Sequence, residues 1–153
     1  MIVFRLSKAI YSQDLTGHGP EKHGGRWNLK GIPMIYTASS RALAVAEIAV
    51  HTPLGIIPAD YQLIQIEIPE QIFTDKISIE SLPENWAANP PVQVTRLMGT
   101  HFIRQNKHAV LQAPSACVQG DFNFLINPLH PDARQISIIK TEDFKFDSRL
   151  FLK

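Results

Sequence analysis

A chain of 153 residues is enough for one compact domain and too short for two, so any function must sit on a single core. A formal charge of +1, with no visible cluster of Lys and Arg, excludes electrostatic capture of nucleic acid, and 44% hydrophobic against 19% charged residues excludes disorder. Cys117 is the only cysteine, which excludes an internal disulfide and agrees with a reducing compartment. With no secretory pattern in Met1 to Ala9 and no apolar run of membrane-spanning length, the expected location is the cytoplasm, without membrane contact.

In chain order, Ile2-Val3-Phe4-Arg5-Leu6 is rich in β-formers and predicts a strand. The loop 17–25 holds four glycines and a proline and has little backbone preference of its own. It lacks the Gly-x-Gly-x-x-Gly order and the Lys-Ser/Thr ending of phosphate loops. Residues 33–37 read as a short buried strand, after which Ser39 or Ser40 can cap a helix over 41–51. Over 61–68, Ile64, Ile66 and Ile68 fall on one face and Gln65 and Glu67 on the other, predicting a half-buried strand with later strands as its antiparallel neighbours. Prolines and polar residues make 75–91 an irregular excursion, and a second helix is expected over 95–106, weakened by Gly99. Short strands at 109–112, 136–139 and 144–146 complete a set that does not alternate regularly with helices, so the fold class is α+β.

Glu47 does not fit its surroundings. It is the only charged residue in Ala42-Leu43-Ala44-Val45-Ala46-Glu47-Ile48-Ala49-Val50, where apolar residues occupy every helical face and predict burial on most sides. A buried carboxylate must be paired or open onto a cleft. Arg26 follows two glycines that permit close backbone approach to a ligand, and its planar fork suits phosphate oxygens; the alternative is a surface arginine paired to an acidic residue. Tyr36 can stack on a flat heterocycle or belong to the core with its hydroxyl at the rim. Ser115, after Pro114, can bond a ribose or cap local backbone, and its neighbours lack the Gly-x-Ser-x-Gly elbow of a serine nucleophile. Asn127-Pro128 lies in a turn, where turn chemistry explains the asparagine most simply. The six histidines show no metal-ligand spacing, so no metal site is expected, and Cys117 reads as a small hydrophobe.

Taken together, Phe4-Arg5-Leu6, Gly24-Gly25-Arg26-Trp27-Asn28, Gly31, Ile35-Tyr36-Thr37-Ala38, Ala42-Leu43-Ala44, Glu47, Pro114-Ser115-Ala116, Asn127-Pro128-Leu129-His130 and Phe146-Asp147-Ser148-Arg149-Leu150 form an ordered set. The set resembles the RES-domain family, with the domain taken as 1–153. Mild departures are Phe102, where the family often has tryptophan, and Ala113, where valine is common. The resemblance implies a fold similar to ADP-ribosyltransferase toxins, with Arg26, Glu47 and Ser115 matching the arginine, glutamate and serine that name the family and Tyr36 its tyrosine. It also implies consumption of NAD⁺ with release of nicotinamide, by phosphorolysis or hydrolysis. The usual partner would be an Xre-like antitoxin carrying a helix-turn-helix domain.

On that resemblance, no cofactor is expected: NAD⁺ is substrate and inorganic phosphate a potential co-substrate. Glu47 would stabilise the cation that develops on the ribose, Tyr36 would stack on nicotinamide, Ser115 would bond a ribose or amide group, and Arg26 with Arg5 would grip the pyrophosphate, with Asn127 among the substrate-binding positions. Either arginine could seat the phosphate. Two rivals stay open: a mono-ADP-ribosyltransferase acting on a macromolecule, and a non-catalytic module in which Arg26 and Glu47 form a structural ion pair. A homo-oligomer is also left open.

Overall fold

The structure is a computed structural model that describes residues 1–152. Its elements in order are β1 (Ile2–Lys8), α1 (His18–His23), β2 (Ile35–Ala38), α2 (Arg41–His51), β3 (Tyr61–Glu67), β4 (Thr74–Lys76), α3 (Gln93–Gln105), β5 (Val110–Pro114), β6 (Phe122–Ile126) and β7 (Ser137–Phe144). The strands form one mixed sheet of order β4-β5-β6-β2-β1-β3-β7, in which only the β4–β5 pair is parallel. The fold is a single α+β domain. Among the described residues, no helix is long and apolar enough to cross a membrane.

One sheet face carries Val3, Ile35, Ile64, Ile66, Ile68, Val110 and Ile126 in a single cluster. The alternation of isoleucines expected for β3 is present, but β3 is buried on both faces for part of its length, because Leu63 joins a second cluster under α2 with Leu6, Ala38, Leu43 and Ala44. Its neighbours are the earlier β1 and the later β7, both antiparallel. A third cluster under α3 joins Trp27 and Met34 to Phe102, Ile103, Leu111 and Leu125.

The Ser40 hydroxyl accepts from the Leu43 N–H at 3.0 Å and caps α2. Contrary to the apolar pattern, α2 is not buried on most sides: only Leu43 and Ala44 are buried, and Val50 is largely exposed. Its alanines are small enough to leave one side open, and that side faces a cleft. The glycine-containing loop holds the short helix α1, closed by Gly24 at φ 72°. The excursion over 75–91 is irregular apart from the end of β4 and one short 3-10 turn. The two late strands expected over 136–146 are one strand, β7, followed by Phe146 packed edge-on against Tyr61, Phe144 and Phe151.

The centre of the sheet is its weakest joint. β1 and β2 share only the register pair Phe4↔Ala38, whereas β1 and β3 share seven pairs, from Ile2↔Glu67 to Lys8↔Tyr61. Where β1 and β2 part, the sheet opens instead of closing its ladder, and the cleft lies against that opening.

Candidate active site

Arg5, Arg26, Tyr36 and Glu47, drawn from four separate stretches of chain, line one cleft of about 580 Å³. That volume lies within the range of small-molecule sites. β1 supplies Phe4, Arg5 and Leu6, β2 supplies Tyr36, Thr37 and Ala38, and α2 supplies Ala44, Glu47, Ile48 and His51, the i, i+3, i+4, i+7 stripe of one helical face. His23 and Gly24 to Trp27 form one wall, and Asn89, Pro91 and Arg96 another.

Glu47 is held lightly. The Ser115 hydroxyl donates to its Oε1 at 3.3 Å, and no arginine forms an ion pair with it. Ser115 itself is buried, and its hydroxyl accepts from the N–H groups of Cys117 at 3.2 Å and Val118 at 3.1 Å. It touches the glutamate from outside the cleft lining, with a local turn fixing its own direction. Ser115→Ala should lower kcat several-fold with KM nearly unchanged; an equal change in both would place the hydroxyl against substrate. Burial pushes the Cys117 thiol, 3.4 Å from the same hydroxyl, upward and away from thiolate chemistry.

The Gly24-Gly25-Arg26-Trp27-Asn28 segment is a knot that fixes one wall. Asn28, fully buried, donates through Nδ2 to the carbonyls of Pro20 at 2.8 Å, Ile32 at 2.9 Å and Leu29 at 3.2 Å. The Tyr36 hydroxyl donates to Asn28 Oδ1 at 2.7 Å and accepts from the Trp27 N–H at 3.0 Å. Burial holds that hydroxyl far above the usual phenol range, so it remains a neutral strut. Gly25 is required by this strut, since a Cβ there would meet the hydroxyl at 2.6 Å. Tyr36→Phe strands a buried donor and acceptor and should cost about 1–3 kcal/mol, read as a lower Tm; an unchanged Tm would show the strut to be dispensable.

Arg26 is neither paired to an acidic residue nor free. Its NH1 donates to the carbonyls of Trp86 at 2.8 Å and Ala88 at 3.0 Å, and Trp86 packs on Trp27 with ring centroids 6.2 Å apart. The arginine thus ties the 86–88 segment to the cleft wall that carries it, while partial burial depresses its pKa. Arg5 lies deeper, with NH1 on the Asp14 carbonyl at 2.6 Å, and burial depresses it too.

Asn127 lies elsewhere. It is fully buried, at the far end of β6 from the cleft-lining Asn123, donating to Asn106 Oδ1 at 2.9 Å and accepting from the Leu129 N–H at 3.0 Å. The cleft lining does not include it: its amide oxygen is spent on the turn and its Nδ2 on Asn106 at the end of α3. Asn123 and Arg96 are cleft residues that sequence reasoning missed. The polar Asn123 within Phe122-Asn123-Phe124-Leu125-Ile126 was the signal for the first, and the second had none. Among the described residues, no three or more His, Cys, Asp or Glu side chains gather as metal ligands.

A model of the RES domain matches residues 2–147. The chain belongs to the RES-domain family. A relative from Sphingobium sp. (strain YBL2), described as a Prs ADP-ribosylating toxin, is 37% identical over 149 residues, covering 96% of this chain and 92% of that protein. Another, described as toxin Res, from Pseudomonas putida KT2440, is 37% identical over 155 residues and covers 99% and 100%. A third relative, also described as toxin Res, from Photorhabdus laumondii, is 36% identical over 152 residues, covering 98% and 97%. Among solved structures, the RES domain described here resembles a chain of the M. tuberculosis MbcT-MbcA toxin-antitoxin complex, with a TM-score of 0.74, 18% identity and coverage of 98% and 86%. At that identity the likeness concerns the fold.

Proposed function

We propose that this RES-domain chain is the toxin of a toxin–antitoxin pair and breaks the nicotinamide–ribose bond of NAD⁺. The observation that carries the reading is Glu47, a carboxylate on a cleft wall with no ion-pair partner among the described residues, in a cleft whose other permanently charged groups, among those residues, are three arginines. Three positive charges against one negative leave a surplus of two, suited to a ligand that is anionic at its diphosphate and electron-poor at one ribose carbon.

The chemistry asks little of the protein. As the bond from C1′ to the pyridinium nitrogen lengthens, its electron pair goes to nitrogen, and nicotinamide leaves neutral without a general acid. Positive charge builds on the ribose, and a nearby carboxylate lowers that barrier. An oxygen of phosphate or water then bonds to C1′, the water giving up one proton to solvent as its C–O bond forms. The name of the Sphingobium relative, an ADP-ribosylating toxin, supports a third acceptor, a macromolecule receiving ADP-ribose; all three acceptors share the cleavage step at Glu47. The partner reading, an Xre-like antitoxin with a helix-turn-helix domain, is supported in its coarser part by the neighbour solved as a toxin–antitoxin complex.

The deciding experiment incubates purified protein with NAD⁺, with and without inorganic phosphate, and identifies products by mass spectrometry. Nicotinamide release is the expected result, and the mass of the ADP-ribosyl product names the acceptor. NAD⁺ left intact under both conditions would end the enzymatic reading. Arg26→Ala should raise KM and also free the 86–88 segment, seen as faster amide exchange there; an unchanged kcat/KM would remove Arg26 from the site.

A further inference from the structure

The three arginines of the cleft are not equivalent. Arg5 spends NH1 on the Asp14 carbonyl and Arg26 spends NH1 on two carbonyls of the 86–88 segment. Arg96, in the first turn of α3, makes no hydrogen bond and no ion pair and lies over no aromatic face among the described residues. Its Nε is sealed from solvent with no acceptor at all, the only buried side-chain nitrogen or oxygen among the described residues in that condition. A stranded guanidinium N–H is costly, and folded proteins satisfy nearly all such groups. Arg96 lines the same cleft as Tyr36, Glu47 and Pro91. Nothing on its own helix competes for it: the first turn of α3 carries no acidic residue and Val92 provides no side-chain cap.

We infer that Arg96 is the seat of a phosphoryl oxyanion in the cleft, a binding residue distinct from Arg26 and Arg5. An unspent guanidinium on the lining of a cleft with surplus positive charge suits the oxygens of one phosphoryl group, and suits a neutral or cationic group poorly. The oxyanion belongs either to inorganic phosphate as acceptor or to the diphosphate of the dinucleotide, and the inference rests on the reading of this cleft as the site of NAD⁺ cleavage. The stem of Arg96 lies on the same face of α3 as Gly99, where the helix touches the Trp27 carbonyl, so its placement is fixed by backbone contact.

The test compares wild-type protein, R96M and R96K by calorimetric titration with two probes, inorganic phosphate and ADP-ribose, together with ligand-free melting. Methionine keeps the apolar stem and removes the fork and its stranded N–H, so the ligand-free Tm of R96M should match or exceed that of the wild type. Affinity for at least one probe should fall about tenfold or more in R96M, as expected for loss of charge-assisted hydrogen bonds, and R96K should recover part of it. A loss confined to phosphate assigns the seat to the acceptor, and a loss confined to ADP-ribose assigns it to the dinucleotide. Affinities in R96M within about twofold of wild type for both probes would overturn the inference, as would a wild type that binds neither. Should R96M not fold, R96Q carries the same comparison. Because binding is read without turnover, a wild type that holds a probe through Arg96 yet leaves NAD⁺ intact removes the cleavage reading and keeps the seat. Turnover with unchanged R96M binding does the reverse.

Discussion

Glu47→Gln should lower kcat for nicotinamide release by about 10²–10³-fold while leaving the Tm within a degree or two of the wild type, roughly the effect of removing one preorganised electrostatic group from a transition state. Glutamine has the same shape, and its Oε1 can still accept the Ser115 hydroxyl that now reaches Glu47 at 3.3 Å. What it lacks is the charge. In the cleft the balance of arginines over glutamate rises from a surplus of two to three, so an anionic ligand should bind no more weakly, and KM should hold or fall. This split separates catalysis from structure. A Glu47 that merely supported the fold would give a parallel loss of Tm and activity, and full activity in the variant would refute the role assigned to it.

Gly99→Ala is expected to be the most damaging single methyl group in the chain. In an ordinary helix the change would stabilise by about 1 kcal/mol, because alanine is the better helix former. Here a Cβ would lie 1.8 Å from the Trp27 carbonyl oxygen and 2.8 Å from its carbon, both backbone atoms of a segment pinned by Asn28 and the Tyr36 hydroxyl. Helix and wall must move apart by more than an ångström, and overpacking of that kind costs about 1–3 kcal/mol or more. The clash outweighs the propensity. Net destabilisation of about 2 kcal/mol should lower the Tm by roughly 4–8 °C for a domain of this size, readable by calorimetry. NAD⁺ affinity should weaken as well, since the displaced pieces carry Arg26 and Arg96. A variant as stable as the wild type would mean that the close approach is not a constraint.

The same glycine shows where sequence reasoning reached its limit. As a letter it argued only against a helix, whereas its reason for being there is a contact with Trp27, 72 positions earlier in the chain. Signals written in one stretch were legible: the Ser40 cap, the α2 span, the isoleucine alternation of β3 and the odd carboxylate at Glu47. Signals spread over several stretches were not. β6 was missed although it is an apolar run, because it lies between turns and is defined by pairing with both β2 and β5. For the same reason Arg96 could not be found, since an arginine on an amphipathic helix carries no mark until the sheet brings the opposite wall to it. The ordered motifs located Arg26, Tyr36 and Glu47 in one cleft, but they did not distinguish groups facing the cavity from groups bracing it. Ser115 and Asn28 brace it, and Asn127 belongs to a turn beyond it.

The single register pair between β1 and β2 gives the domain a seam down its middle, with β4, β5, β6 and β2 on one side and β1, β3 and β7 on the other. Arg5 belongs to one half and Tyr36 and Asn123 to the other, so any molecule lodged among them works as a rivet. Emptying the cleft leaves the two panels joined there by their greasy underside and by α2, and filling it fastens them. Resistance to heat and to proteases should therefore rise with occupancy most steeply along that line, making ligand saturation and the wholeness of the sheet two readings of one equilibrium.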